Sequence, residues 1–170
     1  MPMTFNHTLT LTATITVLLA GNALAQTPQR TTATYADWTV RCVMQGKDKS
    51  CEMAQTIQIK GRPQPISQIA IGRQTKDGPL KMVFEVPIDV WLPDGVELVT
   101  AQKQANITAK FTRCVPAGCF AEADVSATAV KELRSLQKNG KLQFKDARKQ
   151  LVAIPVSFKG FNDAYDALKK

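Results

Sequence analysis

The chain has 170 residues, and its 22 Lys and Arg against 14 Asp and Glu give a formal net charge of +8. With 44% hydrophobic and 21% charged residues, it has the composition of a globular protein, which excludes a disordered or a fibrous chain. The length accommodates one domain with its own hydrophobic core, and neither composition nor residue spacing carries the signature of a reaction.

The first predicted element is a signal peptide over residues 1–25. Residues 9–25 contain no charged side chain and end in Ala23-Leu24-Ala25, the small-x-small pattern that signal peptidases accept. The apolar run is too short to serve as a membrane anchor, because a spanning helix needs roughly 20 apolar residues. We therefore expect export, and the absence of cysteine at the cleavage site excludes ordinary lipoprotein anchoring.

Cleavage at this site removes the only histidine, His7. The mature chain then lacks the commonest general base and metal ligand, so Ser-His-Asp and Cys-His catalysis are excluded for it. The next segment, 26–34, is polar, contains a proline and has no apolar residue before Ala33. It is predicted to be a flexible leader that precedes a single folded domain over residues 35–170.

From Tyr35 onward, short runs of β-forming residues alternate with turn signals at the spacing typical of an all-β sandwich or barrel. Several runs alternate with period two, so that Ile57 and Ile59, or Ile69 and Ile71, share one face. The predicted strands are 38–44, 51–59, 66–73, 80–86, 96–99 and 107–113.

The pattern changes after Val125. Val130, Leu133 and Leu136 recur at helical spacing, with Ser126 as N-cap and Gly140 beyond the C-terminus, which predicts an amphipathic helix over 126–138. Two further strands, 141–145 and 151–157, and a short closing helix, 161–168, complete the domain. The predicted fold class is thus mainly β: a compact antiparallel β-sandwich or barrel-like domain with one amphipathic helix and a short C-terminal helix.

The cysteines fall into two local pairs, Cys42 with Cys51 and Cys114 with Cys119. Three connectivities are possible. Loop entropy alone favours long bridges, at roughly 4.5 kcal/mol against roughly 2 to 3 for local ones. Each pair flanks a turn, however, and a turn brings strand partners within disulfide distance, so we expect the two local bridges. Neither pair has the spacing of a redox C-x-x-C motif or a zinc site, and we expect no metal or other cofactor.

The strongest chemical asymmetry is a basic segment between residues 131 and 149. It contains seven cations against Glu132 and Asp146. Such a segment either forms the solvated face of a helix and a hairpin or attracts an anionic surface such as lipid headgroups, lipopolysaccharide phosphates or sulfated glycans. The candidate anion-binding residues are Lys131, Arg134, Lys138, Lys141, Lys145, Arg148 and Lys149.

A set of motifs, in this order, resembles the invasion-associated locus B (IalB) family of alphaproteobacterial exported proteins. The motifs are Trp38-x-Val40-x-Cys42, Val86-Pro87 with Leu92-Pro93-x-Gly95-Val96, Phe111-x-x-Cys114-x-x-x-Gly118-Cys119-x-Ala121, and Gly160-Phe161. The resemblance covers the chain from about residue 38 to 168. It implies a compact, mostly β domain outside the cytoplasm, associated in pathogenic members with entry into host cells and without an assigned reaction. It supplies no catalytic residues.

Two function classes remain. The first is a non-enzymatic exported protein, periplasmic, envelope-associated or secreted, that binds a protein or an anionic surface component and no nucleic acid. The alternative is a hydrolase that works by carboxylates alone, as glycosidases do. The available carboxylates are scattered over different turns and strands, which favours the first class: Asp37, Glu85, Asp89, Asp94 and Glu97.

Overall fold

The computed structural model describes residues 29–59, 61, 63–75 and 77–168. The predicted signal peptide lies outside these residues and stays a prediction. Within them the strands are β1 Arg30–Tyr35, β2 Trp38–Gln45, β3 Asp48–Ile57, β4 Ser67–Gly72, β5 Lys81–Val86, β6 Val96–Val99, β7 Ile107–Val115, β8 Gly118–Asp124, β9 Gly140–Lys145 and β10 Leu151–Val156. The helices are α1 Ala127–Ser135 and α2 Phe161–Ala167, with 3-10 turns at Leu92–Asp94 and Lys103–Ala105.

All strand pairs are antiparallel, in the order β1-β2-β3-β4-β5-β8-β7-β6-β9-β10. Strand β7 belongs to two sheets, because its beginning pairs with β6 and its end pairs with β8 across a bulge between Phe111 and Arg113. The first sheet therefore contains β1, β2, β3, β4, β5, β8 and the end of β7. The second sheet contains the beginning of β7, followed by β6, β9 and β10. The strands do not close into a ring. The structure therefore confirms the predicted sandwich and not the barrel-like alternative.

Alternation of side chains explains why the predicted strands form. In β4 and β5, buried and half-buried positions alternate strictly, and Ile69 and Ile71 are 0% and 1% exposed. Ile57 is buried as well, but Ile59 lies beyond the end of β3 and is exposed. The largest fully buried side chains include Trp38, Phe84, Phe161, Met53, Leu98 and Leu142. This core lies between the two sheets.

Two strands were not predicted. The leader prediction over 26–34 is wrong for residues 30–34, because these form β1 and pair in register with β2. Their side chains are exposed, so the strand is held by its backbone ladder and has no hydrophobic signal. Strand β8 consists largely of glycine, alanine and acidic residues, which have low β propensity. It is nevertheless central, between β5 and β7.

Helix α1 begins as predicted and ends early. The Ser126 hydroxyl accepts a hydrogen bond from the Ala129 backbone N–H at 3.1 Å, and Val130, Leu133 and Leu136 are buried. The helix stops at Ser135, and Gly140 opens β9 instead of capping the helix. The closing helix α2 lies where it was predicted. No helix among the described residues is long and apolar enough to cross a membrane.

Both predicted disulfides are present, and all four cysteines of the sequence are bonded. Cys42 and Cys51 lie directly opposite each other on β2 and β3, with Cα atoms 4.1 Å apart. Cys114 and Cys119 are opposite each other on β7 and β8, with Cα atoms 4.0 Å apart. Each bond therefore ties the two strands of one hairpin together.

A buried amide joins the two sheets where β10 ends against β2 and β3. Gln55 on β3 is 5% exposed. Its Nε2 donates to the Ser157 carbonyl oxygen at 2.8 Å, and the Ser157 N–H donates back to its Oε1 at 2.9 Å. The Trp38 Nε1 donates to the same carbonyl oxygen at 2.9 Å. The Gln55 side chain thus makes the hydrogen bonds to the Ser157 backbone that a neighbouring strand would otherwise make.

Gly160 positions α2 against the first two strands. Its φ of +81° is left-handed, and a Cβ at this position would clash with the carbonyl oxygen of Tyr35. The close approach lets Phe161, the next residue, contact Trp38 edge-to-face with ring centroids 5.2 Å apart. The position therefore requires glycine for two separate reasons.

Replacing Gly160 by alanine is expected to lower the free energy of unfolding by about 2 to 4 kcal/mol, since both a left-handed Cβ and a displaced helix are destabilising. The matched control is Gly46→Ala, because Gly46 has a φ of +66° and no atom within 4 Å of its Cβ position. Only the backbone penalty applies there, about 1 kcal/mol. Equal losses in urea unfolding for the two variants would show that contact with Tyr35 does not constrain α2.

Candidate functional site

The seven predicted anion-binding residues occupy two elements and their flanking segments. Lys131 and Arg134 lie on α1, and Lys138 lies in the connection to β9. Lys141 and Lys145 share the outer face of β9, while Leu142 and Phe144 face the core. Arg148 and Lys149 lie in the turn between β9 and β10.

Arg134 links the two helices. Its guanidinium makes two hydrogen bonds of 2.8 Å to the carboxylate of Asp166 on α2 and lies over the Tyr165 ring. The Asn162 side chain donates to the Arg134 carbonyl oxygen at 3.0 Å. The hydrogen bond to Asp166 raises the pKa of Arg134. These contacts give Arg134 a structural role and leave it less available for a ligand.

Lys145 is also paired. Its Nζ lies 2.6 Å from Oδ2 of Asp94, in the loop before β6. The hydrogen bond with Lys145 is the main cause of the lowered pKa of Asp94, and the Trp91 side chain also contributes by hydrogen bonding. The Trp91 backbone N–H donates to the Lys145 carbonyl oxygen at 2.8 Å. The end of β9 and this loop are therefore fixed to each other.

The turn that carries Arg148 and Lys149 is ordered by Asp146. Oδ1 of Asp146 accepts hydrogen bonds from the backbone N–H groups of Arg148 and Gln150, at 2.9 and 2.8 Å. Lys149 has a left-handed φ of 65°, and its Nζ lies 4.3 Å from the centroid of the Trp91 ring. Arg148 is exposed at the tip of this fixed turn.

Four of the seven cations are exposed and have neither a carboxylate partner nor a ring contact among the described residues: Lys131, Lys138, Lys141 and Arg148. They do not form one continuous cluster. Lys141 and Lys145 lie at opposite ends of β9, about 14 Å apart if each residue of the strand advances by the usual rise. This exceeds the screening length of roughly 8 Å at physiological ionic strength. The basic segment therefore presents two regions, one around α1 and the start of β9 and one at the β9–β10 turn.

Two open grooves lie among the described residues. One, of about 940 Å³, lies between the β2–β3 turn, the β4–β5 connection and the end of α2, and Asp48 and Asp77 contribute to its walls. The other, of about 650 Å³, contains Asp37 and Asp163. Of the five carboxylates singled out in the sequence, only Asp37 lines either groove. Its Oδ2 accepts a hydrogen bond from the Ser157 hydroxyl at 2.6 Å.

Sequence reasoning missed the partners of the basic residues. Arg134 and Asp166 are 32 positions apart, and the loop with Trp91 and Asp94 reaches the β9–β10 turn through an isolated bridge between Val90 and Asp146. No local pattern signals such contacts, because they depend on how distant segments pack.

The motifs that carry the family resemblance have structural roles in the described fold. Trp38 is buried at 1% exposure, and Ala121 is fully buried. Gly95, with a φ of +70°, leaves no room for a Cβ beside the Ala109 carbonyl oxygen. A Cβ on Gly118 would lie 2.8 Å from the Val86 carbonyl oxygen. The motifs therefore specify the fold and its close backbone contacts.

Comparison with known proteins gives a consistent result. The profile of the invasion associated locus B (IalB) protein family matches residues 38–169. Invasion protein B homologs of Brucella abortus, strains 2308 and 9-941, are each 29% identical over 137 residues, covering 80% of this chain and 78% of theirs. The crystal structure of invasion associated protein B from Bartonella henselae superposes with a TM-score of 0.71 at 25% identity, covering 82% of this chain and 95% of that one. The chain belongs to the invasion associated locus B family.

Proposed function

We propose that this protein is exported and acts, without catalysing a reaction, by binding an anionic component of the envelope or of a host-cell surface. The observation that carries the proposal is a set of four exposed cations that have neither a carboxylate partner nor a ring contact in the described part of the chain: Lys131, Lys138, Lys141 and Arg148. The names of the relatives, which are called invasion proteins, support a role at a cell surface.

The disulfides support export. All four cysteines are paired, and such bonds persist in oxidising compartments such as the periplasm and the cell exterior. The signal peptide predicted over residues 1–25 agrees with this location. The partners available there carry phosphate, sulfate or carboxylate groups on lipids and glycans, and these are the groups that exposed lysine and arginine bind.

The rigid β9–β10 turn favours surface recognition. Asp146 fixes the turn and Trp91 supports Lys149, so Arg148 projects from an ordered backbone. A cation held on a rigid element loses less conformational entropy on binding than one on a mobile loop. The second region, with Lys131, Lys138 and Lys141, adds charge at the other end of β9, so both ends contribute to attraction by an extended anionic surface.

The proposal predicts that replacing Lys131, Lys138, Lys141 and Arg148 together by glutamine weakens retention on heparin and binding to anionic vesicles. At low ionic strength we expect affinity to fall at least about tenfold, with a shallower dependence on salt. Thermal stability should change little, because exposed unpaired charges contribute well under about 1 kcal/mol. Arg134 is left in place, because its removal would break the link to Asp166.

The matched control replaces Arg30, Lys47, Lys49 and Lys159 by glutamine. These side chains are exposed and have no ion-pair partner in the described residues, so the control has the same net charge as the test variant. Retention by the control near the wild-type level supports a local binding surface. Equal weakening in both variants would show that retention depends only on net charge. The basic segment would then be an ordinary solvated surface.

A further inference from the structure

The outer face of the first sheet is partly exposed to solvent. Side chains that alternate with the buried ones on β2, β3, β4, β5 and β8 point away from the core, and α2 packs on the opposite side through Phe161 and Trp38. Three ion pairs lie on this outer face. Arg113 on β7 pairs with Glu122 on β8. The other two pairs are Arg41–Glu52, with side-chain exposures of 43% and 47%, and Lys81–Asp124, with 28% and 66%.

The strand register aligns these charges in one row across five strands. The row is Arg41, Glu52, Gly72, Lys81 and Asp124, on β2, β3, β4, β5 and β8 in that order. In this row Arg41 and Lys81 are positive, Glu52 and Asp124 are negative, and the central Gly72 has no charge. Consider a second copy generated by a two-fold axis that lies above this face and runs parallel to β4. The rotation reverses the order of the strands, so each residue of the row faces the residue that lies equally far from β4 on the other side. Arg41 of one copy then faces Asp124 of the second, and Glu52 faces Lys81.

The adjacent rows place small and polar side chains at the axis, and their carboxylates Glu122 and Glu85 face Thr39 and Thr56. In the next row, Ala70 lies on the axis and faces its own copy, while Ala54 faces Val83. These small side chains, together with Gly72, allow two sheets to approach closely along the axis. In the third row Gln68 faces Gln68. Its Oε1 accepts from Arg41 and Thr56 within the chain, and its Nε2 can donate to the opposite copy.

The balance of charge distinguishes this face from the rest of the protein. Its three rows, extended to β7, carry four basic and four acidic residues: Arg41, Lys81, Lys110, Arg113, Glu52, Glu85, Glu122 and Asp124. The whole chain has a net charge of +8, which is therefore carried elsewhere. Two copies that approach through most other surfaces repel, whereas this face meets its own copy with matched charges.

The size of the face suits a modest dimer. With strands about 4.8 Å apart and rows about 6.8 Å apart, six strands and three rows cover roughly 25 Å by 20 Å per copy. This footprint lies at the lower end of specific protein interfaces. Aligned sheets pack about 10 Å apart, close enough for the long side chains of Arg41 and Lys81 to reach acidic groups on the opposite sheet.

We propose that the protein forms a two-fold symmetric dimer by packing the outer faces of the first sheets against each other, with the axis along β4. The occupant of this face is a second copy of the chain. At each end of the row, the Arg41–Glu52 ion pair of one copy then lies opposite the Lys81–Asp124 ion pair of the other, and the four charges form a network. This assembly is independent of the basic segment and of the binding function proposed above.

Exchange of charges within one ion pair tests the symmetry directly. The variant with Arg41→Glu and Glu52→Arg keeps its internal ion pair and net charge, but in a dimer it places two carboxylates opposite each other and two cations opposite each other. The variant with Lys81→Glu and Asp124→Lys does the same from the other half of the row. Sedimentation equilibrium at low salt is expected to show a dimer for the wild-type protein and a dissociation constant raised at least about tenfold for each variant.

Mixing supplies the decisive measurement, because the two exchanged variants complement each other at all four positions. An equimolar mixture should dimerise with an affinity near that of the wild type, and a single chain with all four substitutions should also recover the dimer. Circular dichroism and thermal unfolding confirm that the variants are folded. A wild-type protein that is monomeric at about 100 μM, where an interface with a Kd of up to tens of micromolar is populated, overturns the proposal. A dimer unaffected by either exchange, or a mixture that stays monomeric, overturns it equally.

Discussion

Removing both disulfides is expected to lower the free energy of unfolding by about 5 kcal/mol, from about 2.7 for the Cys42–Cys51 bond and about 2.2 for the Cys114–Cys119 bond by loop entropy. Each bond joins opposite residues of one hairpin, so it restricts the unfolded chain while leaving the native ladder unchanged. Urea unfolding of the oxidised protein and of the protein held reduced by dithiothreitol measures the difference. A loss of this size is a large fraction of the stability of an ordinary domain.

Paired substitutions separate the two bonds. Cys114→Ser with Cys119→Ser should cost on the order of 2 kcal/mol and leave the other bond intact. Peptide mapping of the non-reduced protein checks the connectivity in solution. A peptide that links Cys42 to Cys114 or Cys119, or four titratable thiols in protein purified from the periplasm, contradicts the pairing.

Substitution of Gln55 by leucine should destabilise the protein by about 2 to 4 kcal/mol. The change removes two partly buried hydrogen bonds and leaves the Ser157 N–H without a partner, and a donor left unsatisfied away from water costs free energy of desolvation. The Ser157 carbonyl oxygen keeps its bond from Trp38, which limits the loss. Denaturant unfolding with fluorescence detection measures the effect, since Trp38 reports on the same contact.

Two further variants check the cause. Gln143→Leu is the control for side-chain volume and polarity, because Gln143 lies half-buried on the outer face of β9 and is expected to tolerate the change. Gln55→Glu preserves an acceptor for the Ser157 N–H but places a carboxylate against the Ser157 carbonyl oxygen, so it should destabilise the protein at neutral pH. If Gln55→Leu unfolds no earlier than Gln143→Leu, the amide does not hold the sheets together.

The local part of this fold follows from the sequence. Alternation predicts β4 and β5 because each buries one face, and the turns between paired cysteines predict both bonds. Ser126 predicts the start of α1 since its hydroxyl satisfies a free backbone donor. Strand β1 escapes prediction because it buries almost nothing, and β8 because its small and acidic residues become strand only between two neighbours.

The candidate site is less predictable for the same reason. Exposed cations such as Lys138 and Arg148 can be identified from charge alone, but the pairing of Arg134 with Asp166 and of Lys145 with Asp94 depends on tertiary packing. Charge patterning therefore identifies a basic region as a candidate, but it does not predict which of the side chains have partners within the fold. The count of available cations falls from seven to four when the ion pairs and the ring contact of Lys149 are included.

The strand order also fixes a sequence of folding events. Strands β1 to β5 each pair with the next in the chain, so this meander can form as soon as it leaves a ribosome or a translocation channel. The outer edge of β5 stays unpaired until β8 emerges, and the contact between Gln55 and Ser157 spans 102 positions. Pairing between such distant segments is slow because the loop must close first. During that delay we expect the unpaired edge of β5 to be open to aggregation and available to a holding chaperone.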